Sequence, residues 1–283
     1  MINGASAIFD APGPRGRRWI AMFTAISLIA IAFALLMAGR QFQMNGQLAP
    51  EKWSLFLVPA NQRFFLRAMG NTALAAVGGA AIALPLGLLL ALGRLSRFRI
   101  VRAPATAVIE FFRAVPLLLI ILVFMFALPK YGMNPNLYWK LVIPIGLCDG
   151  ATIAEVFRAG ILSLPRGQKE AGLANGLTDN QTFWNIIFPQ AVRVVVPSLV
   201  AQVVILLKDT TLGYIVSYTE MQYQAQVFYS FHSDLSIIVS TLLVVSSLYV
   251  VLNVSISAVA RWLERRLGTP RSVRQAVAIE MAQ

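Results

Sequence analysis

The chain alternates long apolar runs with short polar connections, and the runs have the length of membrane-spanning helices. A helix needs about 20 apolar residues to cross the hydrocarbon core of a bilayer. Six runs reach this length, so the pattern predicts an all-α integral membrane protein built as a polytopic helix bundle. The runs are Trp19–Ala38, Ala68–Gly93, Ala103–Pro129, Leu141–Leu164, Val194–Ser217 and Leu235–Ala260.

A polar segment, residues 166–185, interrupts this pattern between the fourth and fifth runs. Gly176 can end a first short helix in the left-handed conformation. Thr178, followed three residues later by Gln181, has the spacing of a capping box and indicates the start of a second helix. Pro189 then opens the fifth run. The apolar positions in this segment favour contact with a partner surface over an idle loop.

Composition and charge agree with a membrane location. Of the 283 residues, 58% are hydrophobic and 13% are charged, about half the charged fraction of a typical soluble domain. The net charge is +12, and arginine and lysine concentrate in the connections on one side of the six predicted helices. The positive-inside rule places that side, with both termini, in the cytoplasm. Anionic lipid headgroups, and not nucleic acid, are the expected counterpart of this charge.

Few residues are available for catalysis or metal binding. Cys148 is the single cysteine and His232 the single histidine, so an internal disulfide is excluded and a Cys/His metal site lacks ligands. No lysine follows a glycine, so the Gly-Lys-Ser/Thr sequence of a phosphate-binding loop is absent. No cofactor is therefore expected in this chain. If the protein uses ATP, a partner chain has to hydrolyse it.

The stretch "EAGLANGLTDNQTFWNIIFPQ", Glu170–Gln190, resembles the EAA motif of bacterial ABC importer permeases, E-A-A-x3-G-x9-I-x-L-P. Gly172 replaces the second alanine of the motif, and Phe188 replaces its leucine. Four other stretches, "GNTALAAV", "EFFRAVPLLL", "AEVFRAGI" and "LKDTTLGY", resemble the polar amino-acid uptake branch of this family, closest to glutamate permeases.

This resemblance implies a MetI-like ABC permease core of five helices in residues 64–262, with one extra N-terminal helix in residues 19–39. Residues 1–18 and 263–283 are expected to be cytoplasmic tails. Residues 166–185 are implied to be the coupling helix segment, which contacts the ATPase. The residues assigned to that contact are Glu170, Ala171, Gly172, Gly176 and Pro189.

The resemblance also implies an assembly. A cytoplasmic ABC ATPase dimer would hold the ATP and Mg, and an external amino-acid-binding protein would deliver the substrate. A second permease subunit, identical or similar to this chain, would complete the pathway. The lipid bilayer is the remaining partner.

Charged residues inside apolar runs are costly, so each marks a candidate site. Glu110 and Arg113 are three positions apart on one helix face and can pair. On one straight helix, Arg113 would lie near the membrane midplane, where its guanidinium could bind a substrate carboxylate. The resemblance favours a substrate or pathway role for this arginine. A purely structural ion pair with Glu110 is the alternative.

The fifth run is interrupted by Lys208, Asp209, Thr210 and Thr211, and Gly213 indicates a loosened helix there. Asp209 could bind the ammonium group of an amino acid, Lys208 its carboxylate, and the two threonines could donate hydrogen bonds to the substrate. The alternative is local pairing of Lys208 with Asp209.

Two further residues in the runs are assigned to the pathway, each with an open alternative. Glu155 carries a charge in the fourth run, and a structural pair with Arg158 is favoured by their spacing. Thr72 can line a pathway or pack as a buried helix threonine.

Three rival functions fit the residues less well. A secondary transporter would need no ATPase, but it would leave the polar segment 166–185 unexplained and no inverted repeat is visible. A membrane-embedded enzyme lacks a nucleophile or metal set. A membrane scaffold does not account for the charges inside the runs.

Overall fold

The computed structural model describes residues 13–232 and 235–267, and in these residues the chain is helical with no β-strand. The α-helices in chain order are α1 (Pro14–Met44), α2 (Pro50–Ser54), α3 (Pro59–Leu95), α4 (Arg99–Ala114), α5 (Leu117–Leu122), α6 (Leu137–Leu162), α7 (Arg166–Ala174), α8 (Asp179–Thr182), α9 (Phe188–Asp209), α10 (Met221–His232) and α11 (Leu235–Leu267). Tight 3₁₀ turns cover Leu55–Leu57, Leu128–Tyr131 and Thr210–Tyr214, and π-helical turns cover Val123–Ala127 and Phe183–Ile187.

Four helical stretches in the described residues are long and apolar enough to cross a membrane. They are Pro14–Met44, Pro59–Leu95, Asp179–Tyr214 and Ser236–Val259. A bent pair of helices, Arg99–Ala114 and Leu117–Tyr131, adds a fifth crossing if the pair is counted as one span. Helix α6 has 26 residues, a length of about 39 Å, but it carries four charged side chains and lies at the centre of the bundle.

The third apolar run is not the single straight helix that hydropathy predicts. Helices α4 and α5 meet at an angle of 97°. The bend follows from Pro116, because a proline forces the preceding residue out of the helical region and has no N–H to donate. Val115 accordingly has φ −84° and ψ 128°. Hydropathy detects the apolar content of residues 103–129 but not the change of direction within them.

Helix α1 is the extra N-terminal helix, and it stands apart from the bundle. None of its residues is buried, and its apolar residues face outward all around. It begins at Pro14, so the predicted tail at residues 1–18 is helical in its last five positions. Residues 1–12 of that predicted tail lie outside the described residues. The predicted tail at residues 263–283 lies outside them from residue 268 onward, and α11 extends to Leu267.

The core of the bundle is the contact between α3 and α6, which run parallel. Gly78 faces Tyr138 and Val142, while Gly87, nearer the end of α3, faces Ile153. The approach is close because glycines stand opposite branched side chains. A Cβ added at Gly146 would lie 2.6 Å from the Cβ of Ile82, a distance that real side chains do not reach. Small residues let two helix backbones approach in this way.

The remaining helices pack around this pair. Helix α9 is antiparallel to α6, since Gly160 lies against Val195 at one end and Gly213 against Leu141 at the other. The main core joins residues of α3, α6 and α9, among them Ile145, Ile153 and Leu206, which have no exposed surface. A second cluster joins α3 to α10 and α11 through Phe65, Phe228 and Val245.

The bundle therefore has two distinct ends. We call the end at which α3 and α6 terminate the α7 end, because α7 and α8 lie there. The opposite end, at which α10 lies, is the α10 end. Parallel packing of α3 and α6 requires the intervening α4 and α5 to bring the chain back from the α7 end to the α10 end.

The close contact of α3 with α6 makes a testable prediction. Replacing Gly146 by alanine forces Ile82 or the backbone to shift, and overpacking of this kind costs about 1–3 kcal/mol. We expect the thermal unfolding midpoint of the detergent-solubilised protein to fall. The matched control is Gly70→Ala in α3, where an added Cβ meets nothing within 4 Å and helix propensity alone favours alanine. Equal midpoints for the two variants would contradict the close packing described.

Candidate functional site

The polar segment between α6 and α9 forms the two short helices that its sequence predicts. Helix α7 begins directly after Pro165 and is followed by Gly176 with φ +81°. The N–H of Leu177 donates to the carbonyl of Gly172 over 3.2 Å. This closes the helix in the manner of a left-handed cap, so the prediction for Gly176 is confirmed.

Helix α8 starts with the predicted capping box. The hydroxyl of Thr178 accepts a hydrogen bond from the N–H of Gln181, and the side chain of Gln181 accepts one from the N–H of Thr178. From there the chain continues through the π-helical turn into α9 without a break, and Pro189 lies in the first turn of α9. The second short helix, α8, is thus the first part of the spanning helix that continues as α9. Pro189 does not separate α8 from α9.

Gly172 has a structural reason to differ from the alanine of the EAA motif. It is buried on α7, where a Cβ would lie 2.6 Å from the Cγ2 of Thr182 and 3.1 Å from the Cδ1 of Ile186. The absence of a side chain lets α7 pack directly on α8 and the turn that follows it. Two polar contacts also join α7 to the helix that follows it. Lys169 forms an exposed ion pair with Asp179 at 2.9 Å, and the side chain of Gln190 donates a hydrogen bond to that of Gln168.

The outer face of this segment presents a mixed surface. Glu170, Ala171 and Ala174 are exposed, and Leu173 and Trp184 expose 41% and 45% of their surface. Glu170 forms no ion pair with any residue between 13 and 232 or between 235 and 267. A large exposed aromatic and an unpaired carboxylate beside small residues are typical of a surface that binds another protein. We call this surface the coupling face.

A network of five charged side chains lies at the α7 end. Arg94 bridges two carboxylates, because one guanidinium nitrogen is 2.8 Å from Glu110 and the other is 2.6 Å from Glu155. Arg158 pairs with Glu155 at 2.9 Å, and Arg113 reaches Glu110 at 4.0 Å. The two pairs predicted from spacing are thus present, and Arg94 joins them. The planar fork of an arginine suits such bridging.

Hydropathy does not identify Arg94 as a site residue, because Arg94 directly follows the second apolar run and counts there only toward the basic charge of the connection. The available signal is its position. It stands in the last turn of a spanning helix, where its side chain can reach acidic residues on neighbouring helices.

The network also corrects the depth predicted for Arg113. Helix α4 crosses the end of α3, with Gly93 against Ala105 and Arg94 against Glu110. Arg113 lies one turn beyond Glu110, so it lies at the α7 end and not near the midplane. The rise along one straight helix does not give the depth of Arg113, because α4 and α5 meet at 97° and do not form one straight span.

The residues that interrupt the fifth run lie toward the α10 end. The α-helix ends at Asp209 and continues as a 3₁₀ turn through Tyr214. A 3₁₀ turn is tighter than an α-helix, so the regular α-helix stops where predicted, but the loosened helix expected from Gly213 is not observed. Thr210 is fully buried, and its hydroxyl donates to the carbonyl of Leu207 over 2.7 Å, while that of Thr211 donates to Lys208 over 2.7 Å. Lys208 is exposed and forms no ion pair within the described part of the chain, so the alternative of local pairing with Asp209 is not observed.

Asp149, which is not among the site residues predicted from the sequence, lies near Asp209. It is buried on α6 with 6% of its surface exposed, and one of its carboxylate oxygens has no hydrogen-bond partner among the residues described. The two carboxylates are close enough for their charges to interact. A carboxylate inside an apolar run is rare in a membrane helix. Its position in the run Leu141–Leu164 is the sequence signal that could have identified Asp149 as a site residue.

Thr72 lies in packing between α3 and α10. Its side chain has no exposed surface, its hydroxyl donates to Ala68 over 3.0 Å, and it accepts from the N–H of Met221 over 3.1 Å. The neighbouring Asn71 donates to Thr219 over 2.9 Å. The "GNTALAAV" stretch therefore holds the start of α10 in place.

Glu220 completes this contact and was not identified from the sequence. Its carboxylate has no exposed surface and accepts from the N–H groups of Gln222 and Tyr223 at the start of α10 and from the hydroxyl of Tyr249 on α11. Burial raises the pKa of the Glu220 carboxyl to about 7, although these three hydrogen bonds act to lower it.

The structure does not bring the two groups of charged candidates together. Because Leu141 faces Gly213 and Gly160 faces Val195, Asp209 is level with about residue 145 of α6. Glu155 is one member of the Arg94 network and lies about 15 Å further along that helix. Arg113 and Asp209 therefore belong to different levels of the bundle.

This architecture, a parallel α3–α6 pair with a polar two-helix segment between two spans, is that of a membrane permease subunit. A family model described as "Binding-protein-dependent transport system inner membrane component" matches residues 83–269. The chain therefore belongs to this family of membrane permease subunits, as its EAA-like motif indicates.

Similar proteins include the glutamate transport system permease protein GluD of Corynebacterium glutamicum. It is 36% identical over 238 residues, which cover 83% of this chain and 86% of GluD. A probable glutamine ABC transporter permease protein of Bacillus subtilis, GlnM, is 33% identical over 207 residues, covering 73% of this chain and 94% of GlnM.

Solved structures share the fold. One chain of an amino acid ABC transporter crystallised with histidines superposes with a TM-score of 0.67 at 24% identity, covering 73% of this chain and 95% of that one. A chain of a bacterial ABC transporter for the polysaccharide alginate gives a TM-score of 0.62 at 15% identity, covering 89% of this chain and 97% of that one.

The packing of α7 on α8 makes a second prediction. In Gly172→Ala the new methyl group cannot be accommodated without displacing Thr182, so the two helices should separate more often. Backbone amides of residues 168–187 should then exchange with deuterium at least about five-fold faster, the equivalent of about 1 kcal/mol of lost packing. The control is Gly167→Ala in the same helix, where an added Cβ meets nothing within 4 Å. Faster exchange in both variants would show that the contact is not responsible.

Proposed function

We propose that this chain is the membrane permease subunit of an ATP-driven importer of a polar amino acid, with glutamate as the first candidate. The coupling face carries the proposal. It follows the EAA pattern and joins α9 through a continuous helix. The relatives named for glutamate and glutamine transport support the choice of substrate class.

In this proposal the α7 end faces the cytoplasm, as do both termini. A dimer of ABC ATPase subunits binds ATP and Mg and contacts the coupling face through Glu170, Ala171 and the segment ordered by Gly172, Gly176 and Pro189. Because α8 and α9 form one continuous helix, closure of the ATPase dimer can move a spanning helix directly. Outward-facing and inward-facing states then alternate.

Two further partners follow from the same proposal. A second permease subunit, identical or similar, pairs with this chain so that the pathway runs between them. An external amino-acid-binding protein delivers the substrate at the α10 end. The family description, which names transport that depends on a binding protein, supports this second partner.

The substrate pathway in the proposal uses the charged groups at two levels. Asp209, with Asp149 beside it, offers negative charge for the substrate ammonium, and the exposed Lys208 offers positive charge for a carboxylate. Arg113 and Glu155 lie further along the path, where the Arg94 network can act as a barrier at the α7 end. Thr72, Thr210 and Thr211 shape the surrounding helices.

The function is tested by ATP-driven uptake in proteoliposomes. The chain is produced with the permease, ATPase and binding-protein products encoded beside it, and labelled glutamate, glutamine, arginine and histidine are compared. We expect uptake of glutamate that requires ATP. In Glu170→Lys, reversal of an interfacial charge should lower the rate at least about tenfold.

The control for the charge change is Glu51→Lys, which reverses an exposed carboxylate in α2, away from the coupling face. This variant should transport at the wild-type rate. Uptake that proceeds equally without ATP would contradict the proposal and indicate a secondary transporter. An unaffected Glu170→Lys variant would show that the coupling face does not bind the ATPase.

The role of Asp209 is tested separately. A charge-assisted hydrogen bond contributes about 1.5–3 kcal/mol, so Asp209→Asn should raise the KM for uptake by about 10- to 100-fold in the same proteoliposomes. ATP hydrolysis stimulated by the binding protein should persist, because the coupling face is unchanged. An unchanged KM would remove Asp209 from the substrate site.

A further inference from the structure

A cavity of about 1150 Å³ opens beside the polar segment of residues 166–185, which we call the coupling segment. It lies between α6, α8 and the turn from α3 to α4. Its inner wall is apolar and is formed by side chains of the membrane helices and the coupling segment: Leu95, Ile161, Leu162, Leu164, Phe183 and Ile187. Leu162 exposes 59% of its surface on the outside of α6. The apolar wall is therefore continuous with exposed apolar surface at the end of α6.

The rim of the cavity is positively charged. Arg97, Arg166 and Lys169 line it, and Asp179 is the single acidic residue among its lining residues. The carboxylate of Asp179 already pairs with Lys169 at 2.9 Å. Arg97 and Arg166 are both exposed, and neither forms an ion pair with any residue in the described ranges. The charge of Arg97 also acts on the carboxylate of Asp179. Three cations against one carboxylate still leave the rim with a surplus of positive charge for an anion.

The surrounding surface places this rim at the membrane boundary. The turn from α3 to α4 exposes Phe98 and Ile100 next to Arg97, whose guanidinium lies 5.0 Å from the centre of the Phe98 ring. Helix α4, which follows, has one apolar and one polar face, the pattern of a helix at a membrane interface. A cationic rim above an apolar wall at this depth matches a lipid, with an anionic headgroup and acyl chains.

We propose that this cavity binds an anionic phospholipid, with the phosphate at Arg97 and Arg166 and the acyl chains along Leu162 and Ile161. Basic pockets between membrane helices bind anionic headgroups in this way. The lipid would fill the space between the coupling segment and the α3–α4 turn. It would then support the segment from the membrane side, opposite the coupling face.

The proposal depends on the membrane location of the chain and not on the amino acid transported. Loss of lipid binding and loss of uptake are therefore separate results. The purified transporter, with its ATPase subunits, is exposed in detergent to phosphatidylglycerol or phosphatidylcholine, and retained lipid is counted by native mass spectrometry. We expect retention of phosphatidylglycerol in preference to phosphatidylcholine.

The double variant Arg97→Gln/Arg166→Gln should weaken phosphatidylglycerol retention by about 30-fold, since each arginine near an anionic surface contributes about five-fold. Arg99→Gln is the matched control, because Arg99 is exposed two residues from Arg97 but does not line the cavity. The control should retain lipid as the wild type does.

Four results would overturn the proposal. Equal retention of the two lipids, or an equal loss in Arg99→Gln, would show that the site lacks headgroup specificity. Displacement of the lipid by excess inorganic phosphate alone would assign the rim to a free anion. Retention by the permease subunits purified alone, with none in the complex that includes the ATPase subunits, would assign the cavity to the ATPase surface.

Discussion

The close contact between α3 and α6 is the constraint on which the rest of the bundle depends. Glycines on both helices face branched side chains on the other, so the backbones approach more closely than larger residues would allow. Because the two helices are parallel, the chain has to return between them, and α4 and α5 make that return. The same contact brings the last turn of α3 beside Glu155 and allows Arg94 to join charges from three helices.

The two ends of the bundle use polar groups differently. At the α10 end, Thr72 and Glu220 satisfy the first N–H groups of α10, so these buried polar atoms fix a helix in position. At the α7 end, the polar groups lie between helices that a transport cycle has to move, and their ion pairs are partly exposed. The coupling segment continues as α9 without a break, which gives a direct mechanical path from the outer surface into the core.

Local patterns were sufficient for much of this description. The capping box at Thr178 and the left-handed Gly176 were predictable, because each depends on residues within one or two turns. Gly213 indicated an irregular helix after Asp209, but it predicted a loosened helix where the chain forms a tighter 3₁₀ turn. Pro116 allows a kink within the third run, but the 97° bend after Ala114 was not predictable, because no local residue pattern sets its angle. The positions of Arg94 and Asp149 marked them as candidate site residues, but the charges that they lie beside were not predictable, because these lie on other helices.

The sequence alone determined that this is a membrane bundle with a polar two-helix segment that matches a permease motif. Apolar length, charge bias and capping chemistry are properties of neighbouring residues and can be read along the chain. Only the tertiary structure decided that Arg113 lies at the α7 end, that Asp149 lies near Asp209, and that Gly172 is needed against Thr182. These facts depend on how helices distant in sequence cross one another, and steric contact between helices, rather than hydropathy, sets those crossings.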